Sequence, residues 1–151
     1  GFVPFTSEEF AELGKNLKLL VHPESVRIAE IDGEPAAMMV VFPNLNEAIK
    51  DLNGRLLPFG WLKLLWRLKV AGVKSARVPL MGVRRRYQGS RLGATLALMV
   101  IAPLHERARK QGLKSVDMSW ILEQNQGMRN IIETVGCELY KRYRIYQKDF
   151  N

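Results

Sequence analysis

Apolar positions fall at helical spacing in residues 7–20, SEEFAELGKNLKLL, where Phe10, Leu13, Leu17 and Leu20 share a face. Thr6 or Ser7 can cap this helix and Glu9 sits in its first turn. The period then changes. VRIAEI, Val26 to Ile31, alternates as a strand does, DGEP supplies a turn, and AAMMVVF, Ala36 to Phe42, reads as the buried hairpin partner. Asn44 or Asn46 can open a short helix that ends before Gly54, and PFGWLKLLWRLK, residues 58–69, returns to helical spacing. SARVPLMGV, residues 75–83, is strand-like, but Pro79 has no N–H for a ladder and predicts an edge, a bulge or a splay. A long helix is expected from about Leu92 to Gln111, stopped by Gly112, with basic residues near its carboxyl end. LKSVDMSWIL reads as a strand, Asn125 to Gly136 as a helix, and CELYKRYRIYQK as one or two final strands.

Strands joined both by a hairpin and by crossovers define a mixed α/β domain. The 151 residues, 47% of them hydrophobic, fit a single domain with a real core. Neither a repeat nor a low-complexity tract is present, and no apolar run reaches the roughly 20 residues that span a bilayer. The polar amino end does not read as a signal peptide, and a chain beginning with Gly1 reads as a processed or trimmed product. The lone Cys137 excludes an internal disulfide, and His22 and His105 lack companion ligands, so no metal site is expected. Low cysteine use makes the cytoplasm the expected compartment.

Charge changes the picture more than composition does. The net charge is +8, and no acidic residue lies between Asp51 and Glu106. That stretch holds ten cations, among them Arg84, Arg85, Arg86 and Arg91. Such a field attracts a polyanion: nucleic acid, an anionic membrane or a phosphorylated cofactor.

The field centres on VRRRYQGSRLGATL, residues 83–96, where a strand turns into the long helix. The first amides of a helix have no internal acceptors and carry the positive end of its dipole. Loosened by Gly89 and Gly93, such a run can cradle a pyrophosphate. The same residues also read as a capped, basic strand-to-helix turn.

Together, LMGVRRRYQGSRLGATLALMVIAPLHERARKQG and LKSVDMSWILEQNQGMRNIIETVGCELYKRYRIYQK resemble the GCN5-related N-acetyltransferase superfamily. The acyl-CoA loop of that superfamily has the form Gln/Arg-x-x-Gly-x-Gly/Ala, onto which Gln88, Gly89, Ser90, Arg91, Leu92 and Gly93 fall. The resemblance covers about residues 25–148 in order. It implies a mostly antiparallel, splayed central sheet with flanking helices, and acetyl-CoA or another acyl-CoA bound between the splayed strands. The pantetheine arm would lie along Met81, Gly82 and Val83, the pyrophosphate on the amides from Gln88 to Ala94, and Asn125 near the reactive end. The acceptor would be a small-molecule or peptidyl amine.

Three departures follow. Arg91 stands at a family glycine; a positive φ there costs about 1 kcal/mol or more, whereas a helical φ, made reachable by Ser90 as cap, frees Arg91 to meet a phosphate. Ile132 occupies the position where many members carry a tyrosine acid. Residues 43–74 form a long helical insertion where a tight turn is usual, and the first strand and helix of the family core are expected to be missing before Gly1.

Deprotonating the amine calls for a carboxylate, and Glu123, beside Asn125, is the candidate base. Tyr140, Tyr143 and Tyr146 offer other proton donors but read better as packing residues, as do His105 and Cys137. Within the insertion, Trp61, Leu64, Leu65 and Leu68 share a face interleaved with Lys63, Arg67 and Lys69. That reads as an interfacial helix in residues 58–69, a lid over a hydrophobic substrate, or a packed or homodimer face. An acyl-CoA-dependent N-acyltransferase is the leading reading. The rivals are a non-catalytic acyl-CoA-binding regulatory domain and a basic module for nucleic acid or anionic lipid, of which nucleic acid is the less expected partner.

Overall fold

A computed structural model of the chain describes residues 6–20 and 22–148. Its one sheet has the order β1–β2–β3–β4, with β1 at Val26–Ile31, β2 at Glu34–Pro43, β3 at Ser75–Val83 and β4 at Ser115–Asp117. The first three strands are antiparallel neighbours and β4 joins β3 in parallel. Asp32 and Gly33 both adopt positive φ, which gives the β1–β2 hairpin its tight two-residue turn.

The helices form where capping chemistry and periodicity coincide. Helix α1, Ser7–Leu20, opens on a reciprocal capping box: Thr6 Oγ1 accepts from the Glu9 amide at 3.2 Å, and the Glu9 carboxylate accepts from the Thr6 amide at 2.8 Å. The side chains of Phe10, Leu17 and Leu20, expected on its apolar face, lie outside the described set. Asn44 caps α2, Leu45–Ile49. The expected insertion helix is α3, Gly60–Trp66, continued by a π-helical turn over Arg67–Ala71.

Helix α4, Arg91–Lys110, covers one face of the sheet. Its Leu96, Val100, Ile101 and Leu104 pack on Ala29, Ala36, Ala37, Met39 and Val78, with Ile131 of α5, Gln126–Thr134, and Val135 just after it packed against this core. The small alanines of β1 and β2 let the helix approach closely while its own leucines fill the space.

Two strand expectations are corrected. The strand expected over residues 113–122 shortens to β4, because β3 leaves its neighbour after the Arg77–Asp117 rung and a strand without a ladder partner has no reason to continue. No strand forms in residues 137–148. Tyr140, Tyr143, Ile145 and Tyr146 are exposed there, so the alternation that suggested strands has no layer to bury against.

The insertion is tied to the domain by charge. Asp51 accepts from Lys63 at 2.6 Å and is held by both guanidinium nitrogens of Arg67, one of them at 2.9 Å. Arg67 also donates to the Ala48 carbonyl at 2.7 Å. These partners, Arg67 first and then Lys63, hold the Asp51 carboxyl well below the usual carboxylate range. A depressed carboxylate stabilises the fold above its unfolded pKa, and that contribution fades only as pH falls through the lower folded value. We therefore expect Asp51→Asn to speed amide hydrogen exchange across residues 60–71 at neutral pH while the thermal midpoint stays close to that of the parent. The parent clamp should survive acidification through the ordinary aspartate value of 3.8. Unchanged exchange in the variant would show that the clamp does not hold the helix.

Candidate functional site

The site begins where the sheet opens. Pairing between β3 and β4 covers only Ser75 to Arg77 opposite Ser115 to Asp117. Its last rung is pinned by Arg77, whose Nε and Nη2 donate to Asp117 Oδ2 at 3.1 and 2.8 Å. The register with β2 slips between Val40 and Phe42, opposite Arg77 to Leu80, and Pro79 lies in that interval. Pro79 brings no donor to a ladder, in keeping with the irregularity there and with a β4 pairing that has ended at Arg77. Met81, Gly82 and Val83 stay paired to Met39, Met38 and Ala37 on one side, while their other edge carries no strand. On that edge the Val83 carbonyl accepts from Gln88 Nε2 at 2.7 Å.

The chain then turns into α4. Gly89 has φ +71, and Ser90 is the helix cap, its hydroxyl accepting from the Gly93 amide at 3.1 Å. Arg91 is the first helical residue and is not among the residues with positive φ, so its backbone carries no left-handed strain. Gly93 is required by close approach: a Cβ there would stand 2.1 Å from the Tyr87 carbonyl oxygen. Gln88 donates to Arg85 and Ala94 to Ser90, while the amides of Gly89, Ser90, Arg91 and Leu92 find no backbone acceptor among the described residues. Four adjacent donors at a helix start match what an anion needs.

The four arginines of this region do not act alike. Arg84 and Arg86 both bind Glu34, at 2.8 and 3.0 Å, and hold its carboxyl below the usual range. Arg86 also stacks on the Tyr87 ring, 4.8 Å from its centroid. Arg85 and Arg91 have no carboxylate partner among the described residues.

Between the splayed strands lies a cleft of about 100 Å³, lined by Val78, Pro79, Met81, Met118, Ser119, Trp120, Ile121, Asn125, Met128 and Ile132. None of these side chains ionises. Asn125 caps α5, its Oδ1 accepting from the Met128 amide at 3.2 Å. Ile132, the residue that the resemblance sets at a tyrosine position, lines the same cleft. Ser119, which the sequence reading passed over, has a buried hydroxyl with no hydrogen-bond partner among the described residues. Only the tertiary fold makes it an orphan; a serine after a short strand carries no signal in the sequence.

Glu123 is not among the lining residues. Its carboxylate turns to the carboxyl-terminal segment, 2.9 Å from Arg144 and 3.9 Å from Arg142. Cys137 is half-buried and burial pushes its thiol up, away from a reactive thiolate. His105 is exposed on α4. No cluster of metal-binding side chains occurs among the described residues, and no helix there is long and apolar enough to cross a membrane.

Solved acetyltransferase structures share this fold, an antiparallel sheet that opens into a splay beside a glycine-turned helix start. One is AAC(6')-Iy in complex with the bisubstrate analogue CoA-S-monomethyl-acetylneamine. It aligns with a TM-score of 0.57 at 13% identity, covering 94% of this chain and 81% of that one. In sequence, the chain is 57% identical over 148 residues to Protein YghO of Escherichia coli strain K12. It is 49% identical over 148 residues to the Bacterial ceramide synthase of Caulobacter vibrioides. Each alignment covers 98% of this chain and 38% of the relative, so the chain spans well under half the length of these proteins. No family model matches the sequence.

The two glycines of the turn should fail differently. Gly93→Ala forces a side chain onto fixed backbone and is expected to cost about 2 kcal/mol in urea unfolding. Gly89→Ala only has to hold a left-handed backbone, about 1 kcal/mol. Equal losses, or a neutral Gly93→Ala, would contradict the packing described for the turn.

Proposed function

We propose that this domain is an acyl-CoA-dependent N-acyltransferase. The observation that carries the reading is the run of four amides free of backbone acceptors at the start of α4, which follows the open edge of Met81 to Val83; that strand also borders a cleft lined by Ser119, whose buried hydroxyl has no partner among the described residues. The donor supplies an activated acyl thioester. In this proposal the amides from Gly89 to Leu92 and the Arg91 guanidinium bind its pyrophosphate, the edge of β3 binds the pantetheine, and Asn125 borders the reactive end.

Within the cleft, the residues present set the chemistry. The acceptor nitrogen forms its bond to the acyl carbon as the carbon–sulphur bond breaks, and the nitrogen loses a proton that the departing thiolate must regain. Ile132 cannot supply it. We assign Ser119 the task of donating a hydrogen bond to the departing sulphur, which would satisfy a hydroxyl left unpartnered by the protein. Glu123, committed to Arg142 and Arg144, serves in this reading to position the carboxyl-terminal segment beside the cleft.

Eight of the ten residues that line the cleft carry apolar side chains, which supports an acceptor with apolar substituents. A ceramide is an N-acylated long-chain amino alcohol, and one relative is named a ceramide synthase. We extend the proposal to a long-chain amine as acceptor. The lack of any ionisable lining group favours a second reading, in which the domain binds acyl-CoA without turnover.

Calorimetry with CoA tests the cradle. Arg91→Glu should weaken binding by about tenfold or more, and Arg91→Gly by much less. Tighter binding by Arg91→Glu would reject the cradle.

Release of free CoA from acetyl-CoA and palmitoyl-CoA, with sphinganine or polar amines as acceptors, tests the chemistry. Transfer to sphinganine is expected; CoA binding without transfer to any amine would select the non-catalytic reading. Ser119→Ala should lower kcat by about tenfold or more while CoA affinity holds, and Glu123→Gln should keep most of the turnover. The reverse pattern would return Glu123 to the role of base.

A further inference from the structure

We propose that Leu56 to Ala71 forms a docking surface for anionic lipid bilayers. The sequence pattern grouped Trp61, Leu64, Leu65 and Leu68 on one face; the structure divides them. Leu64, Arg67 and Leu68 turn partly inward, with Arg67 closing on Asp51 and the Ala48 carbonyl. The outward face carries Trp61, Leu62, Leu65, Trp66 and Val70, and the approach to the helix adds Leu57 and Phe59. Phe59 is 72% exposed, Trp66 57% and Val70 72%. Two turns of helix therefore present one apolar face to solvent, well beyond the scattered exposed residues of an ordinary surface.

Charge complementarity selects the occupant. Residues 50–74 contain six cations, Lys50, Arg55, Lys63, Arg67, Lys69 and Lys74, against the single carboxylate Asp51. Asp51 is spent on Lys63 and Arg67, and Glu47 is turned to the Lys74 amide and the Ser75 hydroxyl. Lys69 stands on the exposed face itself, and neither it nor Arg55 has a carboxylate partner among the described residues. A convex face of tryptophan, phenylalanine and leucine, rimmed by lysine and arginine without acids, matches the acyl–headgroup boundary of an anionic leaflet. The indole N–H of Trp61 is satisfied by the Pro58 carbonyl at 3.0 Å, so its ring can enter the apolar layer without stranding a donor. This inference does not rest on the acyltransferase reading, because membrane docking is measured with no substrate present.

The test is co-sedimentation of the 151-residue chain with vesicles of phosphatidylcholine alone, or of phosphatidylcholine mixed with phosphatidylglycerol. Binding is expected to the mixed vesicles, to weaken as salt is raised, and to be slight on phosphatidylcholine alone. Leu65→Ser combined with Trp66→Ser should weaken it by about tenfold or more, and Lys69→Glu should reduce its dependence on phosphatidylglycerol. Leu139→Ser, an equally exposed apolar site elsewhere, should leave binding unchanged. All variants should keep the parent circular dichroism, since every changed side chain is exposed. As an independent measurement on the unaltered chain, brominated lipid should quench tryptophan emission in the mixed vesicles. No sedimentation with those vesicles would overturn the proposal, as would binding that ignores the Leu65 and Trp66 substitutions. Concentration-dependent dimerisation abolished by the same substitutions, without vesicle binding, would instead assign the face to a second copy of the chain.

Discussion

The site depends on a ladder that stops. Strands β3 and β4 pair for three rungs, the Arg77–Asp117 ion pair pins the last, and Pro79, two residues on, offers no donor with which the ladder could resume. Had the pairing continued, Met81 to Val83 would be sealed on both edges and the space above Asn125 would be filled by sheet. Because β2 holds the other side of β3 through Val83, the strand parts from its neighbour without unravelling. The cleft thus opens where the β3–β4 ladder ends, directly beyond the Arg77–Asp117 pin.

The same sheet decides where positive charge is free to act. In sequence, the acid-free stretch looks like one continuous basic field. Folded, it is partitioned by a few carboxylates from outside the stretch. Glu34, on the hairpin, takes Arg84 and Arg86; Asp117 takes Arg77; Asp51 takes Lys63 and Arg67. Apart from Lys74, just before β3, the cations of this stretch without a carboxylate ion pair among the described residues form two groups. Arg85 and Arg91 stand at the turn into α4, while Arg55 and Lys69 stand on the insertion. The first group lies beside free amides and the second among exposed aromatic rings. On the two proposals, one suits a compact anion and the other an extended anionic surface, so a single count of net charge covers two different recognition problems.

What could be read from the sequence follows from how local its cause is. The caps at Thr6, Asn44, Ser90 and Asn125 are side chains reaching their own backbone within three residues, and each sits where the sequence placed it or one of two alternatives. The helical backbone of Arg91 was legible for the same reason, since Ser90 sets it. The carboxyl-terminal strands were not, because alternation reports a burial that only a neighbouring layer can provide. Glu123 was chosen as a base by its distance along the chain from Asn125, but the direction of its carboxylate is set by Arg142 and Arg144, some twenty residues away. Ser119 is the converse case, an ordinary residue whose importance comes wholly from being buried without a partner.

A cleft with no ionisable side chain also constrains what can react in it. A cationic ammonium entering a space lined by methionine, isoleucine, valine and tryptophan loses its hydration and finds no carboxylate to replace it. The neutral amine, and with it a long apolar substituent, meets no such penalty. On the proposed function, the cleft therefore selects the reactive protonation state of the entering amine by exclusion, and the proton that the nitrogen still loses as the amide forms passes to the departing thiolate, which Ser119 stabilises with a hydrogen bond. An acceptor with a long hydrocarbon chain resides in a bilayer, and the exposed face of the insertion is suited to bring the domain there. The two proposals are tested by different measurements, yet they ask the same thing of the acceptor: that it be a lipid.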